Sequence, residues 1–231
     1  MEPVYSPVVG AVVAAYKLMG WQVRVTGAEH IPAVGAGVVA TNHVGYLDFT
    51  FVGYGTRARG RKLRFLAKQE IFDKPVVGAL MRGMRHIPVD RFGSAQDALI
   101  HAVDALRSGE LIGMFPEATI SRSFVPIAGK SGAARMALDA GVPLIPGAVW
   151  GSQRLLTKGR PRHLQRNVVV TVDFGSPIPY VVGDDPAEVT KRLMTAIEAL
   201  VDHAQRDYPQ QPSGPADRWW LPAHLGGTAP T

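Results

Sequence analysis

The chain has 231 residues, 46% of them hydrophobic, with 25 Lys and Arg against 19 Asp and Glu. That length suits one globular domain with a full core, and a net charge of +6 favours an anionic partner such as a phosphate ligand, an acidic lipid surface or nucleic acid. With no cysteine at all, disulfides, thiolate catalysis and cysteine-ligated zinc are excluded.

The N-terminus lacks the early Lys/Arg cluster of a signal peptide, and Glu2 has the wrong sign for one. Residues Pro7 to Met19 are strongly apolar, and Ser6 as cap with Pro7 in first position predicts a helix. A membrane span needs about 20 apolar residues, so this helix is too short to cross. It is either a buried core helix or one lying in the bilayer interface, anchored by Tyr16, Lys17 and Trp21.

Strands are predicted at Val38–Thr41, Leu63–Ala67, His86–Val89, Leu111–Phe115, Leu144–Trp150 and Val168–Phe174. Helices alternate with them, from about Asp48 to Thr56, Pro75 to Arg82, Ser94 to Ser108 and Ser131 to Ala140. The Ser94–Ser108 segment is amphipathic, with Ser94 and Asp97 at capping positions and Gly109 as its stop. Asp185-Pro186 opens a last helix with Val189, Leu193, Ile197 and Leu200 facing inward. This alternation implies an α/β fold: a single domain with a largely parallel central sheet flanked by helices, whose ligands sit at loops beyond the strand C-terminal ends. The expected organisation is an apolar N-terminal helix over 1–20, the main domain over 21–208, and a Pro/Gly-rich tail over 209–231 that packs through Trp219 and Trp220.

Four blocks carry chemistry. In Asn42-His43-Val44-Gly45-Tyr46-Leu47-Asp48 a histidine and an aspartate are separated by four residues. A neutral imidazole beside a carboxylate is a general base suited to neutral pH, with the carboxylate fixing the tautomer. Five positions are too many for one helix face. The pair meets only if His43 lies on the loop leaving a strand and Asp48 in the first turn of the next helix. The alternative is an ordinary N-cap at Asp48 and an unrelated loop histidine. Phe115-Pro116-Glu117-Ala118-Thr119-Ile120-Ser121-Arg122-Ser123 places a carboxylate, three hydroxyls and a guanidinium on one turn after a strand. Ile87-Pro88-Val89-Asp90-Arg91 ends another strand with an arginine able to hold phosphate bidentately. Val142-Pro143-Leu144-Ile145-Pro146-Gly147 is a strand whose prolines suit an edge or an irregular segment.

Other patterns carry less. Gly129-Lys130-Ser131 ends like a phosphate-binding loop, but Phe124 occupies the required glycine position. Gly35 to Ala40 runs into a strand rather than a helix, unlike a dinucleotide loop. No Gly-x-Ser-x-Gly elbow exists. Arg57, Arg59, Arg61, Lys62 and Arg64 form a basic cluster that is either a solvated loop or a contact for acidic lipid or coenzyme A phosphates. Nucleic acid is disfavoured because no aromatic platform interleaves these charges.

The four blocks, in this order, resemble the PlsC-type glycerolipid acyltransferase family over about residues 20 to 205. Asn42, His43 and Asp48 match its N-H-x4-D block. Asp90 and Arg91, preceded by Lys68 and Glu70, match its second. Phe115, Pro116, Glu117, Thr119 and Ser121 match its F-P-E-G-T-R-S block. Val142, Pro143, Ile145 and Pro146 match its last. The resemblance implies a glycerol-3-phosphate acyltransferase-like fold with a short membrane-facing N-terminal helix. It implies transfer of a fatty acyl group from a thioester, acyl-CoA or acyl carrier protein, to a lysophospholipid hydroxyl, most directly 1-acylglycerol 3-phosphate. His43 would be the base and Asp48 its orienting partner. Arg91, Arg122, Lys68 and Lys130 would hold the substrate phosphate, and Glu117, Thr119, Ser121 and Asn42 would position the acceptor. No metal or cofactor is implied, the partners being membrane lipids and the acyl thioester, and the expected place is the cytoplasmic face of a membrane, peripheral or monotopic. Two departures stand out: the third block's glycine is Ala118 and its phosphate-associated arginine is Ile120. Either Arg122 and Lys130 supply that charge with Arg91, or the acceptor differs. Two other classes fit the residues alone: a metal-dependent hydrolase using His43, Asp48 and Glu117, and a non-catalytic lipid-binding protein.

Overall fold

The computed structural model describes residues 3–90 and 95–230. Seven strands form one sheet: β1 (Gln22–Thr26), β2 (Gly37–Thr41), β3 (Leu63–Lys68), β4 (Ile87–Val89), β5 (Leu111–Met114), β6 (Leu144–Trp150) and β7 (Val169–Phe174). Their order is β1-β7-β6-β2-β5-β3-β4, with every pair parallel except β6 with β7. The helices are α1 (Tyr5–Met19), α2 (Asp48–Thr56), α3 (Gln69–Phe72), α4 (Pro75–Gly83), α5 (Ala95–Arg107), α6 (Gly132–Ala140) and α7 (Pro186–Arg206). The chain is thus an α/β domain with a largely parallel sheet flanked by helices.

Side chains alternate across a strand, and that alternation divides the core. Val39, Leu111 and Ile145 face a layer holding Tyr16 of α1 and Phe51 and Val52 of α2. Val38, Ala40, Ile112 and Leu144 face the other layer, built from α5, α6 and α7 through Ala102, Leu106, Met136, Leu193 and Ile197. β2 and β6 are buried along their whole length, which is why they read as continuous apolar runs. α7 begins as its sequence directs, with the Asp185 carboxylate accepting from the Ala187 N–H and Pro186 in the first turn.

Several elements differ from the sequence expectation. β1 is an additional edge strand pairing only with β7, its Val23 and Val25 half-buried between exposed Gln22, Arg24 and Thr26. α1 starts at Tyr5, so Ser6 and Pro7 lie inside its first turn and no side chain caps it. Only Tyr5 and Tyr16 of this helix are buried, while Ala11, Ala14, Ala15 and Leu18 are exposed. It is therefore not a buried core helix. The Ser94 cap lies outside the described residues. Pro146 sits in a central strand, not an edge. It precedes the first β6–β7 pair at Gly147, so its missing N–H costs that ladder nothing, and its carbonyl accepts from Gly175. The basic cluster is divided: Arg61 donates to the carbonyls of Pro32, Gly35 and Gly109, and Arg64 is buried against Glu110 and the Met84 carbonyl. Arg57 and Arg59 remain exposed.

In the tail, Trp220 is buried beneath the Arg154 guanidinium, 4.5 Å from its ring centre. The Trp220 carbonyl accepts from the Gln153 amide.

Candidate active site

Parallel strands bring their C-terminal ends to one edge. β2 delivers Asn42 and His43 there, β5 delivers Phe115 to Ser121, β3 delivers Lys68 and β4 delivers Asp90. β6, parallel to β2, delivers Gly151 and Ser152 to the same edge.

His43 follows β2 and Asp48 opens α2. The His43 Nδ1 lies 2.9 Å from Asp48 Oδ2, with the carboxylate fully buried and the imidazole 18% exposed. Asp48 is not a simple N-cap. Its Oδ2 also accepts the N–H of Val44 at 2.7 Å and of Gly45 at 2.8 Å, and its Oδ1 accepts the Ser152 hydroxyl. The carboxylate therefore folds the intervening loop around itself, with its charge in the favourable first turn of a helix. Since the carboxylate accepts a hydrogen bond from Nδ1–H, the histidine is assigned the tautomer whose Nε2 carries the free lone pair. The ring stacks on Phe115, centroids 4.0 Å apart and planes 11° apart, which fixes its tilt.

Two further chain segments clamp this loop. From the third block, the Glu117 carboxylate accepts the His43 N–H at 2.8 Å and the Ile127 N–H at 3.1 Å, and the Ser121 N–H donates to the His43 carbonyl at 2.9 Å. From the segment after β6, the Thr157 hydroxyl donates to the Val44 carbonyl at 2.6 Å and the Tyr46 N–H donates to the Leu156 carbonyl at 2.8 Å.

Similarity to known proteins agrees with this arrangement. The acyltransferase family's sequence profile matches residues 22–150, more than half of the chain. The chain belongs to the acyltransferase family. The 1-acyl-sn-glycerol-3-phosphate acyltransferase of Bacillus subtilis is 28% identical over 155 residues, covering 66% of this chain and 76% of the relative. The chloroplastic 1-acyl-sn-glycerol-3-phosphate acyltransferase LPAT1 of Arabidopsis thaliana is 28% identical over 142 residues, 60% of this chain and 39% of the plant protein. The crystal structure of the 1-acyl-sn-glycerophosphate (LPA) acyltransferase PlsC from Thermotoga maritima superposes with a TM-score of 0.75 at 24% identity, over 89% of this chain and 81% of that one.

The remaining sequence candidates of this acyltransferase fall into groups. Asn42 does not face an acceptor: its amide donates to the Val149 carbonyl at 3.1 Å and accepts the Val149 N–H at 2.8 Å, so it clips β2 to β6. Glu117 is likewise not directed at an acceptor, both its oxygens being used on backbone N–H groups. Ser121 is buried and donates to the Val125 carbonyl. Thr119 is half-buried and accepts from the Lys158 ammonium at 3.1 Å. Lys68, Arg122 and Lys130 are exposed along the same edge. Arg91 lies outside the described residues. His43, Asp48 and Glu117 do not converge as a ligand set, and no group of three or more His, Asp or Glu is placed to hold a metal among the described residues. Ala118 has φ 56°, the left-handed region that explains the family's glycine at this position.

Sequence reasoning missed Ser152, Thr157 and Lys158. All three lie on the segment between β6 and β7, which carries no local motif.

Burial pushes the Glu117 carboxyl up to about 7, despite the two N–H bonds that favour its charge. Burial and the neighbouring Arg64 push His86 down to about 4; its Nδ1 accepts the Phe65 N–H. An acid raised in the folded state gives stability that is full below the unfolded value of 4.5 and lost as pH rises to about 7. A histidine lowered in the folded state gives stability that is full above 6.5 and lost as pH falls to about 4. The two slopes oppose each other between about pH 4.5 and 6.5. Glu117→Gln removes one, so the variant should lose stability on acidification more steeply than the wild type, by up to about 1.4 kcal/mol per pH unit. Urea unfolding at pH 6.5 and 4.5 measures this; parallel losses in the two proteins would refute the assignment.

Proposed function

We propose that this acyltransferase moves a fatty acyl group from a thioester, acyl-CoA or acyl carrier protein, to the free hydroxyl of 1-acyl-sn-glycerol 3-phosphate, forming phosphatidic acid. The observation that carries the reading is the His43 Nδ1–Asp48 bond of 2.9 Å, which leaves Nε2 as a base at the mouth of a strand-end site. Nε2 takes the proton of the acceptor hydroxyl as its oxygen attacks the thioester carbonyl. The tetrahedral intermediate collapses, the C–S bond breaks, and the imidazolium returns its proton to the departing thiolate. Buried Asp48 stabilises the imidazolium between these steps. The Ser121, Ser152 and Thr157 hydroxyls donate to carbonyl or carboxylate oxygens, and the chain has no cysteine, so direct transfer is favoured over an acyl-enzyme.

The acceptor is a lipid, and we place the enzyme peripherally on the cytoplasmic face of a membrane, where acyl-CoA and acyl carrier protein are met. No helix among the described residues is long and apolar enough to cross a bilayer. Instead α1 exposes Ala11, Ala14, Ala15 and Leu18, and α4 exposes Val76, Val77 and Leu80. The start of α1 lies at the end of α4, since a Cβ at Gly83 would meet the side chain of Val4, the residue before α1, at 2.8–3.0 Å. Apolar surface flanked by exposed Lys17, Lys74 and Arg82 suits an anionic bilayer.

The test presents 1-acylglycerol 3-phosphate in anionic vesicles with acyl-CoA and measures phosphatidic acid. Product should form, and vesicle binding should weaken with salt. Tyr5 and Tyr16 belong to the core, so the surface is probed by Leu18→Asp with Val76→Asp rather than by deletion. Absence of phosphatidic acid would defeat the activity, and undiminished vesicle binding of the double variant would defeat the docking surface.

A further inference from the structure

The site has a cation that neither the family blocks nor the sequence pattern assigns. Lys158 lies on the β6–β7 segment immediately after Thr157, whose hydroxyl holds the Val44 carbonyl of the His43 loop. Its ammonium is held by Thr119 Oγ1 at 3.1 Å, two residues before Ser121, whose N–H holds the His43 carbonyl. Lys158 therefore spans the two segments that clamp His43 and stands at the rim of the same edge. Gly159 follows with φ 79°, and the Arg122 guanidinium packs over it: a Cβ there would meet its nitrogens at 3.4–3.5 Å. Two cations are thus brought to one turn. No carboxylate lies within ion-pair distance of either among the described residues. With the Lys158 ammonium on Thr119 and the Arg122 guanidinium over Gly159, both cations border one turn, and a phosphate monoester is a small anion that such donors match. At the corresponding third-block position, Ile120 is buried and supplies no charge.

We propose that Lys158, with Arg122, binds the phosphate of the acceptor and is the specificity-determining residue for a phosphorylated over a neutral lysolipid. The β6–β7 segment thus supplies a second cation where the Ile120 position of the third block supplies none. The inference rests on the proposed acylation of 1-acylglycerol 3-phosphate.

The experiment compares kcat/KM for 1-acylglycerol 3-phosphate and for 1-acylglycerol, which has no phosphate, in the wild type, Lys158→Met, Lys158→Gln and Lys158→Arg. Lys158 is exposed, so the variants should melt with the wild type. The wild type should prefer the phosphorylated acceptor. Lys158→Met and Lys158→Gln should lower that preference by about 10-fold or more, through the acceptor KM and with no change in the acyl-CoA KM. Lys158→Arg should restore most of it. A wild type with no preference would sink the proposed function itself. A wild-type preference retained in Lys158→Met would sink only this inference. So would a rise confined to the acyl-CoA KM, which would move the cation pair to the coenzyme's phosphates.

Discussion

His43→Ala should lower turnover by about 100-fold or more while the protein stays folded. The imidazole is 18% exposed and supplies one side-chain bond, to Asp48. The loop around it is held by backbone groups that alanine keeps: the His43 N–H on Glu117 and the His43 carbonyl under Ser121. Folding energy and catalysis are therefore separable at this position. The measurement is initial rate at saturating acceptor and thioester beside a thermal melt. A folded His43→Ala protein turning over near the wild-type rate would refute the general-base mechanism. A lost fold would contradict the placement of the loop's restraints in its backbone.

Asp48 should behave in the opposite way, with the substitution deciding whether stability or rate suffers. Asp48→Ala strands the Val44 and Gly45 N–H groups, the Ser152 hydroxyl and the His43 ring nitrogen. Buried donors left without acceptors cost about 1–3 kcal/mol each before relaxation, so the loss should reach roughly 3–5 kcal/mol. That is a large part of a domain's stability of about 5–15 kcal/mol. Asp48→Asn is gentler. The two loop N–H groups hold the amide oxygen on the histidine side, and the amide nitrogen can donate to Ser152, whose hydroxyl also accepts. The tautomer is kept and only the charge opposite the imidazolium is lost. Turnover should fall, by less than in His43→Ala, with the melting temperature nearly unchanged. Denaturant unfolding and initial rates on both variants test this. An Asp48→Ala protein as stable as Asp48→Asn would show that the carboxylate does not organise the loop.

The parts of this molecule visible in its sequence are those whose cause is local. β2 and β6 are buried on both faces and so appear as unbroken apolar runs. The caps of α7 announce it, and the His43–Asp48 spacing makes sense only across a strand-to-helix junction, where both residues sit. β1 escapes because edge strands need only alternate residues apolar; the period-2 pattern of Val23 and Val25 is its one signal. Asn42 and Glu117 stand in motif blocks, yet their polar groups are used on backbone partners 107 and 74 residues away, which no spacing rule predicts. Ser152 meets Asp48 across 104 residues, through the parallel pairing of β2 with β6. Partners brought together by register leave no mark in either stretch of sequence.

The β6–β7 segment has one more implication. Ser152, which touches Asp48, is followed at once by Gln153 and Arg154, whose partners are Trp220, Tyr208 and Gln210. A shift in composition begins at Pro209, but no mechanical seam lies there. Gln210 and Trp220, beyond it, act as a buttress, bearing on Gln153 and Arg154 directly behind the serine that holds the Asp48 carboxylate. Trimming the protein for convenience at that boundary would loosen the reacting pair from behind, without altering a single residue that meets the substrate.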